Sequence, residues 1–203
     1  MKHFDTLVFD QKAYERELAE FEQFLNKTTT LHEQADILPF FRDRKQLSAR
    51  IGRFATGLSH VDRIAYEYDL FGDFVCDLVV GNSETSDYCF IEFENATVDS
   101  IFTKKKKGRY ESYYTCLFEQ GYSQVADWFY QLNDVSDSQI TKRFDNPRIN
   151  YYGMLVIGRS AFLSENEKKR LAWRRRHFVV NSERILIYTF DQLLSVLKNL
   201  HEH

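Results

Sequence analysis

The sequence predicts an α/β fold, in which a mixed central sheet is flanked by helices. Three strand-like segments follow one another within residues 63–94 and are separated only by turns, which indicates an antiparallel meander. Beyond residue 110, helical and strand-like segments alternate, as they do in β-α-β crossings. Glycine (8) and proline (2) are scarce and 16% of the residues are aromatic, a composition typical of packed helices and sheets.

Length and composition set the expected organisation. With 203 residues, of which 43% are hydrophobic, the chain is large enough for one core, and we expect a single domain over residues 1–203 with a short helical lead over about residues 1–45. No run of about eighteen apolar residues is present, so we expect no membrane contact. Three widely spaced cysteines and an N-terminus without a secretory pattern indicate a cytoplasmic protein.

Three helical segments are predicted before the meander. Apolar residues recur at helical spacing over residues 11–25, which indicates an amphipathic helix. Thr28–Thr30 interrupts this pattern, and a second helical segment is predicted over residues 31–38, ended by Pro39. A third, short helix is predicted over residues 45–54.

The meander is predicted from alternation of apolar and polar residues. Residues 64–70 alternate as a half-exposed strand, and Phe71–Asp73 forms a tight turn into a buried strand over residues 74–80. A polar loop over residues 81–87 leads into a third strand over residues 88–94.

The second half of the chain alternates helix and strand. Residues 110–132 are aromatic and helical in pattern, and residues 151–158 form an apolar strand. A capping-box pattern at Ser164–Glu167 opens a basic helix. A short strand over residues 185–188 precedes a final helix that begins near Thr189.

Three acidic residues occupy strands that are otherwise apolar. Asp77 shares a strand face with Val75 and Val79, and Glu92 and Glu94 share a face of the next strand at a separation of about 7 Å. Because burial of an unpaired carboxylate costs several kcal/mol, converging acids favour a bound cation. Oxygen ligands favour Mg²⁺, Mn²⁺ or Ca²⁺ over Zn²⁺, and we expect Mg²⁺ or Mn²⁺. The alternative is that Asp77 caps a turn and the two glutamates form a solvated edge.

These residues belong to a larger pattern. Asp77 is followed fifteen positions later by Glu92-Phe93-Glu94, and a helix then carries Gln124 and, four residues on, Trp128. This arrangement resembles that of PD-(D/E)xK nucleases, whose mixed, helix-flanked sheet carries the metal ligands at the end of a β-hairpin. The resemblance implies that Asp77 and Glu92 are metal ligands. Gln124 could also be an ordinary surface residue, and we interpret Trp128 as structural.

A narrower resemblance concerns three segments. Residues 89–96, 121–129 and 185–191 are similar to the nuclease domain of Shedu anti-phage defence proteins. The resemblance implies a metal-dependent DNA nuclease, with RNA as the other possible substrate, and a tendency to form homo-oligomers. Some nucleases carry a further carboxylate on the first helix, for which Glu33 is a candidate.

One position departs from the PD-(D/E)xK pattern. The pattern usually ends in lysine, and here that position is Glu94. A carboxylate can tighten metal binding but supplies no positive charge, which must then come from another basic residue or a second metal. We expect Asp77 and Glu92 to hold one ion, Glu94 to act as a further ligand or general base, and Gln124 to position water or phosphate.

Two basic clusters are present although the net charge is −3. The first contains Lys104, Lys105, Lys106, Lys107 and Arg109. We predict that these side chains bind nucleic-acid phosphates, with a solvated loop as the alternative. The second cluster spans residues 168–177 and forms a nucleic-acid contact, an outer face, or a set of arginines packed against acids.

The sequence is also compatible with two other functions. The chain could be a nuclease fold that grips nucleic acid or a protein partner without cleaving it. It could also be a structural subunit that self-associates through its aromatic surface. No phosphate-binding glycine loop and no nucleophile-elbow serine is present in the sequence.

Overall fold

A mixed β-sheet forms the centre of the molecule. The structure is a computed structural model that describes residues 3–56, 58–104 and 112–201, with the backbone alone for residues 54–56 and 201. Within these residues the sheet has six strands, whose spatial order is their chain order: β1 (Asp5–Thr6), β2 (Arg63–Leu70), β3 (Phe74–Asn82), β4 (Asp87–Phe93), β5 (Asn150–Val156) and β6 (Ile185–Tyr188). Strands β1 to β4 pair antiparallel, whereas β4, β5 and β6 pair parallel. The predicted mixed α/β fold is therefore confirmed.

Helices cover both faces of this sheet. Those described are α1 (Gln11–Lys27), α2 (Leu38–Arg42), α3 (Lys45–Thr56), α4 (Cys116–Asp134), α5 (Asp137–Phe144), α6 (Glu165–His177) and α7 (Phe190–His201). Helices α1, α2, α3 and α7 share one apolar cluster with the sheet. Helices α4, α5 and α6 share a second cluster with its other face. None of the described helices is long and apolar enough to cross a bilayer.

Capping residues explain several helix starts. The Asp10 side chain accepts hydrogen bonds from the backbone N–H groups of Lys12 and Ala13, which fixes the start of α1. The capping box predicted at Ser164 and Glu167 is present at the start of α6. These polar side chains satisfy backbone donors that have no partner within the helix.

Three features of the elements differ from the sequence prediction. The segment predicted to end at Pro39 is a π-helical turn over Glu33–Ile37, and Pro39 lies in the first turn of α2, where no partner requires its missing N–H. Helix α5 was not predicted, although a capping box at Ser136 and Gln139 marks its start. Strand β1 was also missed, because two residues are too few to show alternation.

The side chains of β2 switch from one face of the sheet to the other at Glu67. Glu67 has a positive φ of 47°, and the prediction of regular alternation through 64–70 is wrong at this point. Tyr66 packs with the α1–α3 layer, whereas Tyr68 packs with the α4–α6 layer. Positive φ in a non-glycine residue is uncommon in a strand, and such conformations concentrate at functional sites.

Candidate active site

An acidic cleft opens where strands β2, β3 and β4 meet helix α4 and the π-helical turn. Its volume is about 580 Å³. The residues that line it are Glu33, Gln34, Leu38, Glu67, Val75, Asp77, Glu92, Glu94 and Gln124. The structure thus brings together the four residues predicted from sequence as catalytic, places the further candidate Glu33 beside them, and adds Glu67.

Asp77 lies where the pairing of β3 with β4 ends. The described register runs from Asn82 opposite Asp87 to Leu78 opposite Ile91. At the next position the Asp77 carboxylate accepts a hydrogen bond from the Phe93 backbone N–H at 2.8 Å. A side chain therefore occupies the place of a backbone acceptor, which fixes this carboxylate beside the end of β4.

Glu92 and Glu94 are buried acids with unsatisfied oxygens. Each side chain is only 6% exposed. Within the described residues, Oε2 of each has no hydrogen-bond partner. Because a buried, unpartnered carboxylate oxygen costs free energy, these two atoms are open to an additional positive ligand.

Helix α4 closes one wall of the cleft. A Cβ atom placed on Gly121 would lie 3.1 Å from Glu94 Cγ and 2.9 Å from Leu155 Cδ1. Glycine therefore allows the helix to approach the acidic strand closely. One turn further, Gln124 lines the cleft from the same helix. Trp128, four residues beyond Gln124 in this helix, is fully buried, as its structural interpretation requires.

The electrostatics of the cleft are dominated by burial and mutual repulsion. Burial raises the pKa of Asp77 to about 7, with the nearby carboxylates of Glu33 and Glu67 adding to the shift and the Phe93 N–H opposing it. Burial, followed by repulsion from Glu33 and Asp77, raises the pKa of Glu94 to about 7.

Glu92 experiences the same forces more strongly. Burial raises its pKa well above the ordinary value, and Asp77, Glu94 and Glu33 raise it further. Among the side chains described, no lysine or arginine lines the cleft to offset this repulsion. In the absence of a cation, the cleft therefore favours protonated carboxyl groups near neutral pH.

The chemistry of the donors fits a hard divalent ion. Carboxylate oxygens and one amide oxygen are the ligand types that Mg²⁺ and Mn²⁺ prefer, and the two orphaned glutamate oxygens are available to them. In the part of the chain that the structure describes, however, no three His, Cys, Asp or Glu side chains are already close enough to enclose an ion. The carboxylates share a cleft without closing into a coordination shell.

Two acids of the cleft were weakly signalled or missed by sequence reasoning. Glu33 lies in the π-helical turn, which is tied to the sheet because the Glu33 backbone N–H donates to Asn95 Oδ1 at 2.8 Å. Glu67 forms an ion pair with Arg42 at 3.1 Å. The alternation of apolar and polar residues in β2 could not identify Glu67 as a residue of the cleft, because the direction of its side chain depends on the positive φ of Glu67.

The predicted basic clusters lie outside this cleft or outside the described residues. Lys104 is exposed and does not line the cleft. Lys105, Lys106, Lys107 and Arg109 fall outside the described residues. In the second cluster, Arg174 is 7% exposed, and its two terminal nitrogens donate to the Glu119 carboxylate at 2.6 and 2.7 Å. Of the three alternatives for the second cluster, packing of an arginine against an acid is therefore confirmed for Arg174.

The sequence model of the family described as Shedu protein SduA, C-terminal, matches residues 15–194. This span covers most of the 203-residue chain. The chain belongs to the Shedu family. Membership of the Shedu family implies a role in anti-phage defence. No curated protein matches this Shedu chain. Every residue of the acidic cleft lies within the matched Shedu segment.

Proposed function

We propose that this Shedu protein is a divalent-metal-dependent nuclease of the PD-(D/E)xK type, which hydrolyses phosphodiester bonds of DNA during anti-phage defence. The observation that carries the proposal is the convergence of Asp77, Glu92 and Glu94 in one cleft, with two buried glutamate oxygens that lack partners. Such an arrangement is costly for folding unless a cation stabilises it. Functional sites are where such costs are retained.

Asp77, Glu92 and Glu94 would hold the ion, and the most suitable ions are Mg²⁺ and Mn²⁺. When bound, such an ion lowers the pKa of its water and stabilises negative charge on phosphate. Asp77 is oriented for this role by its hydrogen bond from the Phe93 N–H. Glu92 lies near the end of β4, which pairs with β3, so the two side chains reach the cleft from adjacent strands.

Glu94 and Gln124 would act on the attacking water. The Glu94 carboxylate, which has an oxygen without a partner among the described residues, would accept a proton from that water. The Gln124 amide, on the α4 wall of the cleft, can donate to phosphate or accept from water. Together they would orient the water that attacks phosphorus and accept its proton.

Because Glu94 stands where the PD-(D/E)xK pattern usually has lysine, the positive charge that stabilises the phosphate must come from elsewhere. Arg42, which lowers the pKa of Asp77, is engaged with Glu67 at 3.1 Å. Positive charge at the reacting phosphate would therefore come from the ion. We propose that the run of Lys104, Lys105, Lys106, Lys107 and Arg109 binds phosphates of the nucleic-acid backbone.

A second candidate is a nuclease fold that binds nucleic acid without cleaving it. Two observations favour it: Glu94 stands in place of lysine, and the described carboxylates do not form a closed coordination shell. This candidate predicts binding that is unchanged by divalent ions and by substitution of Glu92.

Cleavage of linear and circular DNA, and of a matched RNA, tests the proposal. Purified protein is assayed with Mg²⁺, Mn²⁺ or EDTA, alongside the near-isosteric variants Asp77→Asn and Glu92→Gln. We expect metal-dependent cleavage that falls at least about 100-fold in both variants, because each removes a charged ligand. Glu165→Gln, an exposed acid on α6, is the control and should cleave normally.

Two results would overturn the proposal. One is cleavage that both cleft variants retain in full. The other is intact binding of DNA with no cleavage under any metal, which would select the binding module.

A further inference from the structure

A second cavity lies at the other end of the sheet from the acidic cleft. It has a volume of about 60 Å³ and is lined by Phe9, Ala49, Arg50, Arg53, Ser59, His60 and Val61. The chain leaves it through Asp62, whose backbone N–H donates to the Gly81 carbonyl on β3. Gly81 is four residues from Asp77 along an extended strand, a distance of about 13 Å. The cavity is therefore separate from the cleft.

Arg50 is the unusual residue of this cavity. Its side chain is 9% exposed, and within the described residues its Nε has no hydrogen-bond partner. Its guanidinium carbon lies 4.1 Å from the centre of the Phe9 ring and 5.2 Å from that of the Tyr14 ring. Aromatic faces attract the cation but cannot accept the N–H groups that radiate in its plane. Among the described residues, none of the ion pairs joins Arg50 to a carboxylate.

The rest of the lining adds positive charge and hydrogen-bond donors. Arg53 is exposed at the rim, and His60 and Ser59 contribute an imidazole and a hydroxyl. No aspartate or glutamate is among the lining residues described. Burying a guanidinium without a counter-charge costs more than contact with aromatic rings returns, so the site is complementary to an anion.

Size and geometry narrow the class of anion. A cavity of about 10–15 Å³ holds one water molecule. The cavity of about 60 Å³ therefore holds a compact group of several atoms, such as a tetrahedral phosphoryl group. The planar fork of a guanidinium matches two phosphoryl oxygens at once. A phosphate monoester carries up to two negative charges, which match the guanidinium groups of Arg50 and Arg53 better than the single charge of a carboxylate does.

We propose that this cavity binds a terminal phosphate monoester, with Arg50 as the principal ligand and Arg53, His60 and Ser59 as further donors. Such a phosphate is carried both by a free mononucleotide and by the end of a nucleic-acid strand, and a 5′-phosphate serves as the probe for both. The site does not depend on nuclease activity, because it shares no residue with the acidic cleft.

Isothermal titration in EDTA tests this site without occupying the cleft. The probes are inorganic phosphate, a deoxynucleoside 5′-monophosphate, and one short single-stranded DNA with and without its 5′-phosphate. We expect saturable binding of a 5′-phosphate, weakened about tenfold or more by Arg50→Gln, because charge-assisted hydrogen bonds are lost. Arg53→Gln, at the exposed rim, should weaken binding severalfold and serves as the second variant. Arg16→Gln, an exposed arginine on α1, is the matched control.

The probes also separate the two sources of the phosphate. Preference for the mononucleotide over the phosphorylated strand would identify a free nucleotide as the ligand, and the reverse preference would identify strand ends. Failure of every phosphate-bearing probe to bind wild-type protein would overturn the proposal. Binding that neither Arg50→Gln nor Arg53→Gln alters would overturn it as well. If the wild-type protein binds these phosphate probes but does not cleave DNA, the proposed nuclease is contradicted and the phosphate site is not.

Discussion

The carboxylate of Asp77 has a structural role as well as a place in the acidic cleft. It accepts the Phe93 N–H at 2.8 Å, at the position where backbone pairing between β3 and β4 ends. Removing the side chain would therefore leave a backbone donor without its partner, in addition to removing a proposed ligand. Asparagine, whose amide oxygen can still accept this bond, separates the two effects better than alanine.

The raised pKa values of the cleft predict how the metal-free protein responds to pH. Asp77 and Glu94 have pKa values of about 7 in the folded chain, against ordinary values of 3.8 and 4.5. The folded state binds these protons more tightly than the unfolded state. Their contribution to stability is therefore complete below the ordinary values and is lost as the pH rises through about 7.

Urea unfolding at pH 5 and pH 8 in EDTA measures this effect. We expect the free energy of unfolding to fall by roughly 5 kcal/mol over this interval, about half from each carboxyl group, and the fall to be smaller in the double variant Asp77→Asn, Glu94→Gln. Adding Mn²⁺ in excess over EDTA at pH 8 should raise the free energy of unfolding of the wild-type protein and leave that of the double variant unchanged. An identical pH dependence in both proteins would show that these carboxyl groups are not buried against one another.

At the residue scale, part of the site could be predicted from sequence. Asp77 stood out because an acid in an apolar strand is costly, and Glu92 and Glu94 because period-two spacing puts them on one face. Glu67 could not be predicted, since it reaches the cleft through a positive φ that no residue pattern encodes. The unpaired state of Arg50 depends on tertiary packing and was equally hidden.

At the scale of elements, the close approach of α4 to the end of β4 shapes the cleft. Gly121 permits it, because any Cβ there would press on Leu155 and Glu94. In an isolated helix, alanine would be favoured over glycine by about 1 kcal/mol. Glycine at this buried position is thus consistent with a packing requirement that outweighs helix propensity.

Gly121→Ala tests this packing. We expect the unfolding free energy to change by no more than about 1 kcal/mol, because the gain in helix propensity offsets the contact with Leu155. Mn²⁺ affinity should fall roughly tenfold as Glu94 is displaced. Ser123→Ala, exposed on the same helix, raises propensity without touching Glu94 and should leave affinity unchanged. Wild-type affinity in Gly121→Ala would contradict the assignment of Glu94 to the metal site.

Most elements were predictable because their signals are local. Amphipathic spacing marked α1, and a capping box marked α6. The π-helical turn was not predictable, since it depends on contacts such as the bond from Glu33 N–H to Asn95, 62 residues away in sequence. Proline was misread as a terminator at Pro39 because the same residue is favoured in the first turn of a helix.

At the scale of the whole molecule, the cleft exists only in the assembled fold. Its acids come from the π-helical turn, from β2, from β3 and from the end of β4, and its amide comes from α4. The Shedu family match spans all these segments. Because five segments of the chain converge on unsatisfied carboxylates, metal binding is the property on which the proposed nuclease depends.

Direct titration of Mn²⁺ into the protein at pH 8, above the pKa of about 7 of Asp77 and Glu94, tests metal binding without requiring a nucleic-acid substrate. We expect saturable binding to wild type that is abolished or weakened at least about tenfold in Glu92→Gln, since a charged oxygen ligand is lost. The control Glu165→Gln should bind as wild type does. Absence of saturable binding to wild type, or equal binding by Glu92→Gln, would contradict the metal site and the nuclease proposed to depend on it.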